Sequence, residues 1–186
     1  MIGYIYMDAY IIFEGIINQQ ASLQLTQKIQ FFLDNPTITK IIIFFSSLGG
    51  SIYEGFILAT LIQNSRTPIC IHATNHIDSI GNVIYLSAKE RTAESHAKFY
   101  LHGASIEGNF DEKMLIEKLS EIKTQNSRIS YFISENSSLP LKKVQSMMKI
   151  GTTLSAQDGL KHGIIQQIEH KEIPMKALRE EIIYIN

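Results

Sequence analysis

The sequence predicts an α/β domain built on a mainly parallel sheet. Three observations predict it. Apolar runs of strand length alternate with stretches of helical spacing along the whole chain. Two of those runs, Ile41–Phe45 and Pro68–Ala73, are unbroken, as suits strands buried on both faces. The 186 residues suffice for one domain with a real core, and no repeat, low-complexity segment or linker divides them.

Ile2–Phe13, rich in Ile and Tyr, reads as one or two strands ending at Glu14-Gly15. Ser22–Leu33 has helical spacing and stops at Asn35-Pro36. The strand Ile41–Phe45 leads through Ser46–Ser51 into a helix over Ile52–Asn64. Pro68–Ala73 is the next strand, Ile80–Leu86 a buried helix and Ala97–Leu101 a strand. Gly103–Phe110, with two glycines, reads as a hinge into the long amphipathic helix Asp111–Ile133. Leu141–Met148 follows Pro140 as a helix, and Ser155–His162 is another, ending at Gly163. Ile164–Ile168 reads as a strand, and Met175–Tyr184 carries no decisive pattern.

Composition excludes several classes. Hydrophobic residues make up 45% and charged residues 19%, so the chain is not disordered. A formal net charge of −1 argues against a general nucleic-acid binder or a polybasic membrane-surface protein. The lone Cys70 forms no internal disulfide, and it points to a reducing compartment, the cytoplasm. No apolar run reaches the roughly 18 residues of a membrane span. The opening Met1–Asp8 lacks the basic start of a signal peptide. The low charge predicts apolar surface covered in a subunit interface. His72 and His76 have no Cys partner or His-rich neighbourhood, so neither a metal nor a cofactor is expected.

Three sites can carry chemistry. Gly49-Gly50-Ser51, between a buried strand and a helix, can bring backbone N–H groups close to a ligand, or be an ordinary turn. Ser79 lies between an apolar strand and an apolar helix, the place of an N-cap or of a nucleophile served by nearby N–H groups. His102 ends a strand, where it can act as a general base. None is specific alone.

In order and spacing they resemble the Clp protease proteolytic subunit, a serine peptidase family of the crotonase-like fold. The family has Asn-Ser-Pro-Gly-Gly after its buried strand, and this chain has Ser46-Ser47-Leu48-Gly49-Gly50. The family nucleophile in Ala-Ser-Met-Gly corresponds, without a gap, to Asp78-Ser79-Ile80-Gly81. The base in Met-Ile-His-Gln-Pro corresponds to Tyr100-Leu101-His102-Gly103-Ala104. Leu154-Ser155-Ala156 and Gly163-Ile164-Ile165 match the downstream pattern.

The resemblance implies repeated ββα units forming a single domain, with a head of residues 1–105 and 138–186 and a protruding handle of residues 106–137. It implies Ser79 as nucleophile, His102 as base, and the N–H groups of Gly50 and Ile80 as the oxyanion hole. It implies an endopeptidase acting on peptides or unfolded protein within a ring-forming homo-oligomer, a heptamer or tetradecamer. No nucleic acid, membrane or cofactor enters.

Two departures stand out. The family's third residue, an Asp, falls at Gly151, which has no carboxylate. Losing that acid costs serine peptidases about 10⁴-fold in turnover, roughly 5–6 kcal/mol. A weak Ser–His pair is therefore expected, and Thr152 and Thr153 offer only uncharged hydroxyls beside the gap. Only 14 residues precede Gly15, where the family carries axial loops that engage an AAA+ unfoldase, so that partner is left open. The alternatives are a non-catalytic scaffold or partner subunit of a mixed ring, and a crotonase-type acyl-CoA enzyme, for which no motif is found.

Overall fold

The computed structural model describes residues 7–175 and 177–183. The chain begins with β1 (Met7–Glu14), α1 (Gln19–Leu33), β2 (Ile38–Ser47) and α2 (Ile52–Gln63). It continues with β3 (Ile69–Asp78), α3 (Gly81–Ser87), β4 (Glu90–Ala93) and β5 (Lys98–Leu101). The long α4 (Glu112–Glu135) and α5 (Leu141–Ile150) follow, then β6 (Thr152–Ser155), α6 (Ala156–Lys161), β7 (Gln167–Ile168) and β8 (Leu178–Ile183).

One eight-stranded sheet runs β6-β5-β3-β2-β1-β8, with β4 also on β3 and β7 on β4. Every pairing is parallel except β5 with β6. This is the mixed α/β sheet that the alternating pattern predicts. Apolar runs on β1 and β2 bury both faces of the sheet. One face carries Phe13, Phe45, Ile43 and Ile71 into the main core against α1, α2 and α3. The other carries Tyr10, Ile42, Phe44 and Cys70, covered in part by Ile173 and Ala177 of the C-terminal segment. Burial there pushes the Cys70 thiol up to about 11, so it packs as a small hydrophobe.

The element boundaries differ from expectation in specific places. The first helix starts three residues early, because the Asn18 carboxamide caps it by accepting from the Ala21 N–H at 2.8 Å. The third strand continues five residues past Ala73 to Asp78, through the polar Thr74-Asn75-His76. β3 changes edge partner along its length, from β4 at Cys70–Ala73 to β5 at His76–Asp78. A register shift against β2, between Phe45 and Ser47, accompanies the change. β4 and β6 are short, four residues each, and carry no apolar alternation to reveal them. The segment at Met175–Tyr184 contains β8, paired parallel to β1. The part of the expected N-terminal strand before Met7 lies outside the described residues, as do Lys176 and Tyr184.

Helix α4 buries only Ile129, Ser130 and Ile133, all near its C-terminal end. Its first turns stand away from the body and expose Met114, Leu115, Ile116 and Leu119. Among the described residues, no helix is long and apolar enough to cross a membrane.

Arg91 ties the late elements to the sheet. Its guanidinium donates to the carbonyls of Ala88, Ile164, Gly163 and Asn136 at 2.6–3.3 Å. Four carbonyls from three chain segments thus converge on one side chain. Arg91→Ala is expected to cost about 3 kcal/mol, since the partly buried acceptors lose a charged donor. Urea denaturation of the two proteins checks this.

Candidate active site

The sheet's C-terminal edge assembles the site from the ends of β2, β3 and β5. The Gly49-Gly50 turn leaves β2 with both glycines at positive φ, +93° and +140°. A parallel bridge pairs Gly50 with Ile17. It uses the Gly49 carbonyl and the Ser51 N–H, at 2.8 and 2.7 Å from Ile17 N and O, and so leaves the Gly50 N–H outside it. A Cβ at Gly50 would stand 2.2 Å from the Ile17 carbonyl oxygen, so only glycine fits. Ser51 then caps α2 through Glu54 N–H.

β3 ends at Asp78 and the chain turns sharply at Ser79, the one non-glycine residue with positive φ among the described residues, at +55°. Left-handed backbone costs an L-residue roughly 1–2 kcal/mol, so the surroundings must hold it. The Ser79 N–H donates to the Tyr100 carbonyl at 2.9 Å. The fully buried Asn82 places its Nδ2 at 3.0–3.2 Å from the carbonyls of Ile77, Ser79 and Tyr100. Asn82 was missed by sequence reasoning; a lone amide in an otherwise apolar helix was the available signal. Ile80, the N-cap of α3, keeps its N–H ahead of the first intrahelical bond. Its buried side chain fits against Gly55 of α2, where a Cβ would lie 2.1 Å from Ile80 Cγ1.

The two turns touch. A Cβ on Gly49 would stand 2.6 Å from Ser79 Cβ. Ser79 therefore sits on the bare backbone of Gly49, with the free N–H groups of Gly50 and Ile80 on the residues that follow each turn.

His102 follows β5 by one residue. Its Nδ1 lies 2.8 Å from the Gly103 carbonyl, which accepts the Nδ1 proton and leaves Nε2 with its lone pair. The Tyr100 ring stacks on the imidazole, centroids 4.9 Å apart at 26°. Asn126 of α4 fixes the next residues by accepting from the Ala104 N–H at 2.7 Å. The Ser79 hydroxyl makes no hydrogen bond among the described residues.

Gly151 ends α5 at φ +72°. Neither neighbouring threonine serves His102: Thr152 gives its hydroxyl to the Met147 carbonyl, and Thr153 is exposed on β6. Asp158 is committed to the capping box of α6 with Ser155. Asp78 is half-buried, and its buried Oδ1 makes no hydrogen bond among the described residues. Burial pushes its carboxyl above the usual range, against the opposing pull of His76, 3.8 Å away, and of His102.

A groove of about 330 Å³ is lined by Gly50, Ser51, Tyr53, Ala104, Ile106 and Glu121 among others, between the start of α2 and the flank of α4. Gly50 forms part of its wall.

The raised Asp78 pKa has a stability consequence. The folded state disfavours the carboxylate, so Asp78 costs stability above its folded pKa and costs nothing below the unfolded value near 3.8. Asp78→Asn is expected to raise the melting temperature at pH 7, with the gain shrinking as pH falls toward 4. Calorimetry across that range checks it.

Comparison with known proteins follows the same lines. Residues 1–172 match the family model described as Clp protease. The chain is 27% identical over 173 residues to the ATP-dependent Clp protease proteolytic subunit 2 of Treponema denticola, covering 89% of this chain and 85% of that protein. Its fold is similar to that of a ClpP1 point mutant from Listeria monocytogenes, with a TM-score of 0.78 at 20% identity over 87% of this chain and 91% of the other.

Proposed function

Because the chain belongs to the Clp protease family, we propose that it is a serine endopeptidase, with Ser79 as nucleophile, His102 as general base and the Gly50 and Ile80 N–H groups as oxyanion hole. The observation that carries this reading is Ser79 held at φ +55° on the bare backbone of Gly49. A serine needed only as a helix cap has no use for that strain.

In the proposed reaction Ser79 Oγ attacks the scissile carbonyl carbon as its proton passes to His102 Nε2. The carbonyl oxygen becomes an oxyanion held by the two N–H groups. The imidazolium returns the proton to the leaving amine and the C–N bond breaks, leaving an acyl-enzyme. Water, deprotonated by Nε2, attacks that ester; the acyl C–Oγ bond breaks, the carboxylic acid product leaves, and the imidazolium returns the proton to Ser79 Oγ. A peptide or unfolded protein lying in the groove beside Gly50 is the substrate class.

Gly151 supplies no carboxylate to stabilise the imidazolium, so turnover is expected to be low. The Gly103 carbonyl can fix the tautomer but brings only a partial charge. The same gap favours a second reading, a non-catalytic scaffold or partner subunit of a mixed ring.

The proposal extends to a homo-oligomeric ring, in a cytoplasmic setting. The head spans residues 1–105 and 138–186, and the handle spans 106–137. The support for the handle is the exposed Met114, Leu115, Ile116 and Leu119 on the outlying half of α4.

A fluorophosphonate probe tests the chemistry: Ser79 Oγ bonds to phosphorus, fluoride leaves, and the hydroxyl proton goes to His102. Mass spectrometry is expected to find the adduct on Ser79, none in Ser79→Ala, and slower labelling in His102→Ala. No adduct under conditions that label an acid-bearing Clp peptidase would overturn the reading in favour of the scaffold. Light scattering is expected to give a mass well above the 21.1 kDa of one chain; a clean monomer would remove the ring.

A further inference from the structure

A histidine that shuttles a proton must be held in one plane, and among the described residues no carboxylate hydrogen-bonds His102. The ladder between β5 and β6 pairs Leu101 with Thr152, so the next pair outward is His102 with Gly151. A Cβ on Gly151 would stand 2.8 Å from Tyr100 Oη and 3.5 Å from its Cε2. The Tyr100 hydroxyl thus crowds the place of a Cβ at 151, where φ +72° also strains any L side chain. The same ring lies flat on the His102 imidazole, 4.9 Å between centroids and 26° between planes. Bulk at 100 and its absence at 151 form one steric unit, and the unit rests on the histidine.

We propose that Tyr100 is the positioning residue of this site, holding the plane of the His102 imidazole from the space left open by Gly151. Two constraints then fix the ring. The Gly103 carbonyl holds Nδ1 at 2.8 Å, and the phenol face limits rotation about the bond to Cβ. When Nε2 takes the Ser79 proton, the imidazolium also lies against a π face, an arrangement that favours the cation. Tyrosine supplies less charge stabilisation than a carboxylate, and it needs no ionised group to do so. The stacking uses the ring and not the hydroxyl, so phenylalanine is expected to serve nearly as well. The proposal rests on the Ser79–His102 reading for its consequence in catalysis, while the geometry of the ring pair can be tested apart from it.

The test uses the full chain and four variants: Tyr100→Phe, Tyr100→Ala, Gly151→Asp and the double Tyr100→Ala/Gly151→Asp. Two readouts are taken, the rate of phosphonylation at Ser79 and the ¹H–¹³C signals of the His102 ring, assigned by their loss in His102→Gln. In the unmutated protein the stacked geometry is expected to give an upfield ring-current shift of the His102 ring protons and cross-relaxation with the Tyr100 ring. Tyr100→Phe is expected to keep both that shift and the labelling rate to within about twofold. Tyr100→Ala is expected to abolish the shift and to slow labelling about tenfold, the scale of one partly desolvated cation–π contact. Gly151→Asp alone is expected to gain nothing, because its side chain collides with Tyr100. The double variant, with room for the carboxylate, is expected to label at least about tenfold faster than Tyr100→Ala.

Absence of the upfield shift and of cross-relaxation in the unmutated protein would overturn the proposal without recourse to any variant. So would wild-type labelling by Tyr100→Ala with the His102 signals unmoved, or a gain by Gly151→Asp equal to that of the double variant. If the unmutated protein does not label at all, the peptidase reading fails. The ring shift and its loss in Tyr100→Ala still decide whether Tyr100 positions His102.

Discussion

The close approach of Gly49 to Ser79 is the contact on which the site depends. β2 and β3 run side by side and end in two turns that meet where an ordinary side chain has no room. A Cβ at Gly49 would fall 2.6 Å from Ser79 Cβ and 3.0 Å from the Asp78 carbonyl oxygen. That contact sets Ser79 against the backbone of the β2 turn. The local cost of a serine at φ +55° is met by structure around it: Asn82 gathering three carbonyls, Tyr100 accepting the Ser79 N–H, and Ile80 set against Gly55. Strain that persists only because its surroundings over-determine it is a mark of a site shaped for more than folding.

The second half of the arrangement is electrostatic, and it is lean. Among the described residues no carboxylate hydrogen-bonds the imidazole. Asp78 has a buried oxygen without a hydrogen bond among the described residues, facing His76 at 3.8 Å, and a carboxyl pushed up by burial. Asp158 closes a capping box at the start of α6. His102 is held by the Gly103 carbonyl and the Tyr100 ring. The result is a histidine that is oriented without a carboxylate hydrogen-bonded to it among the described residues. The groove beside Gly50 runs between α2 and α4, and Asn126 of α4 anchors the loop after His102. The protruding helix is thereby tied to the loop that follows His102.

Much of this was legible in the sequence because period and punctuation are local. Ile41–Phe45, Ile52–Asn64 and the long α4 were read from hydrophobic spacing, and Gly49, Gly50 and Ser79 from their places between apolar segments. The misses have physical reasons. The polar end of β3 reads as a loop, yet Asn75–Asp78 extends the strand because β5 offers a parallel edge from residues far along the chain. β4 and β6 are set by partners rather than by pattern. Asn82 and Tyr100 escaped because their roles arise only where three strands converge. The glycine at 151 was visible as a missing acid, but that a phenol fills its space is a fact of packing alone.

The most direct test of the central claim is a crystal structure of the phosphonylated protein. The account predicts a P–Oγ bond at Ser79, with the phosphoryl oxygen within about 3.1 Å of both the Gly50 and Ile80 nitrogens. A phosphoryl oxygen turned to solvent, with those two N–H groups bonded elsewhere, would contradict it.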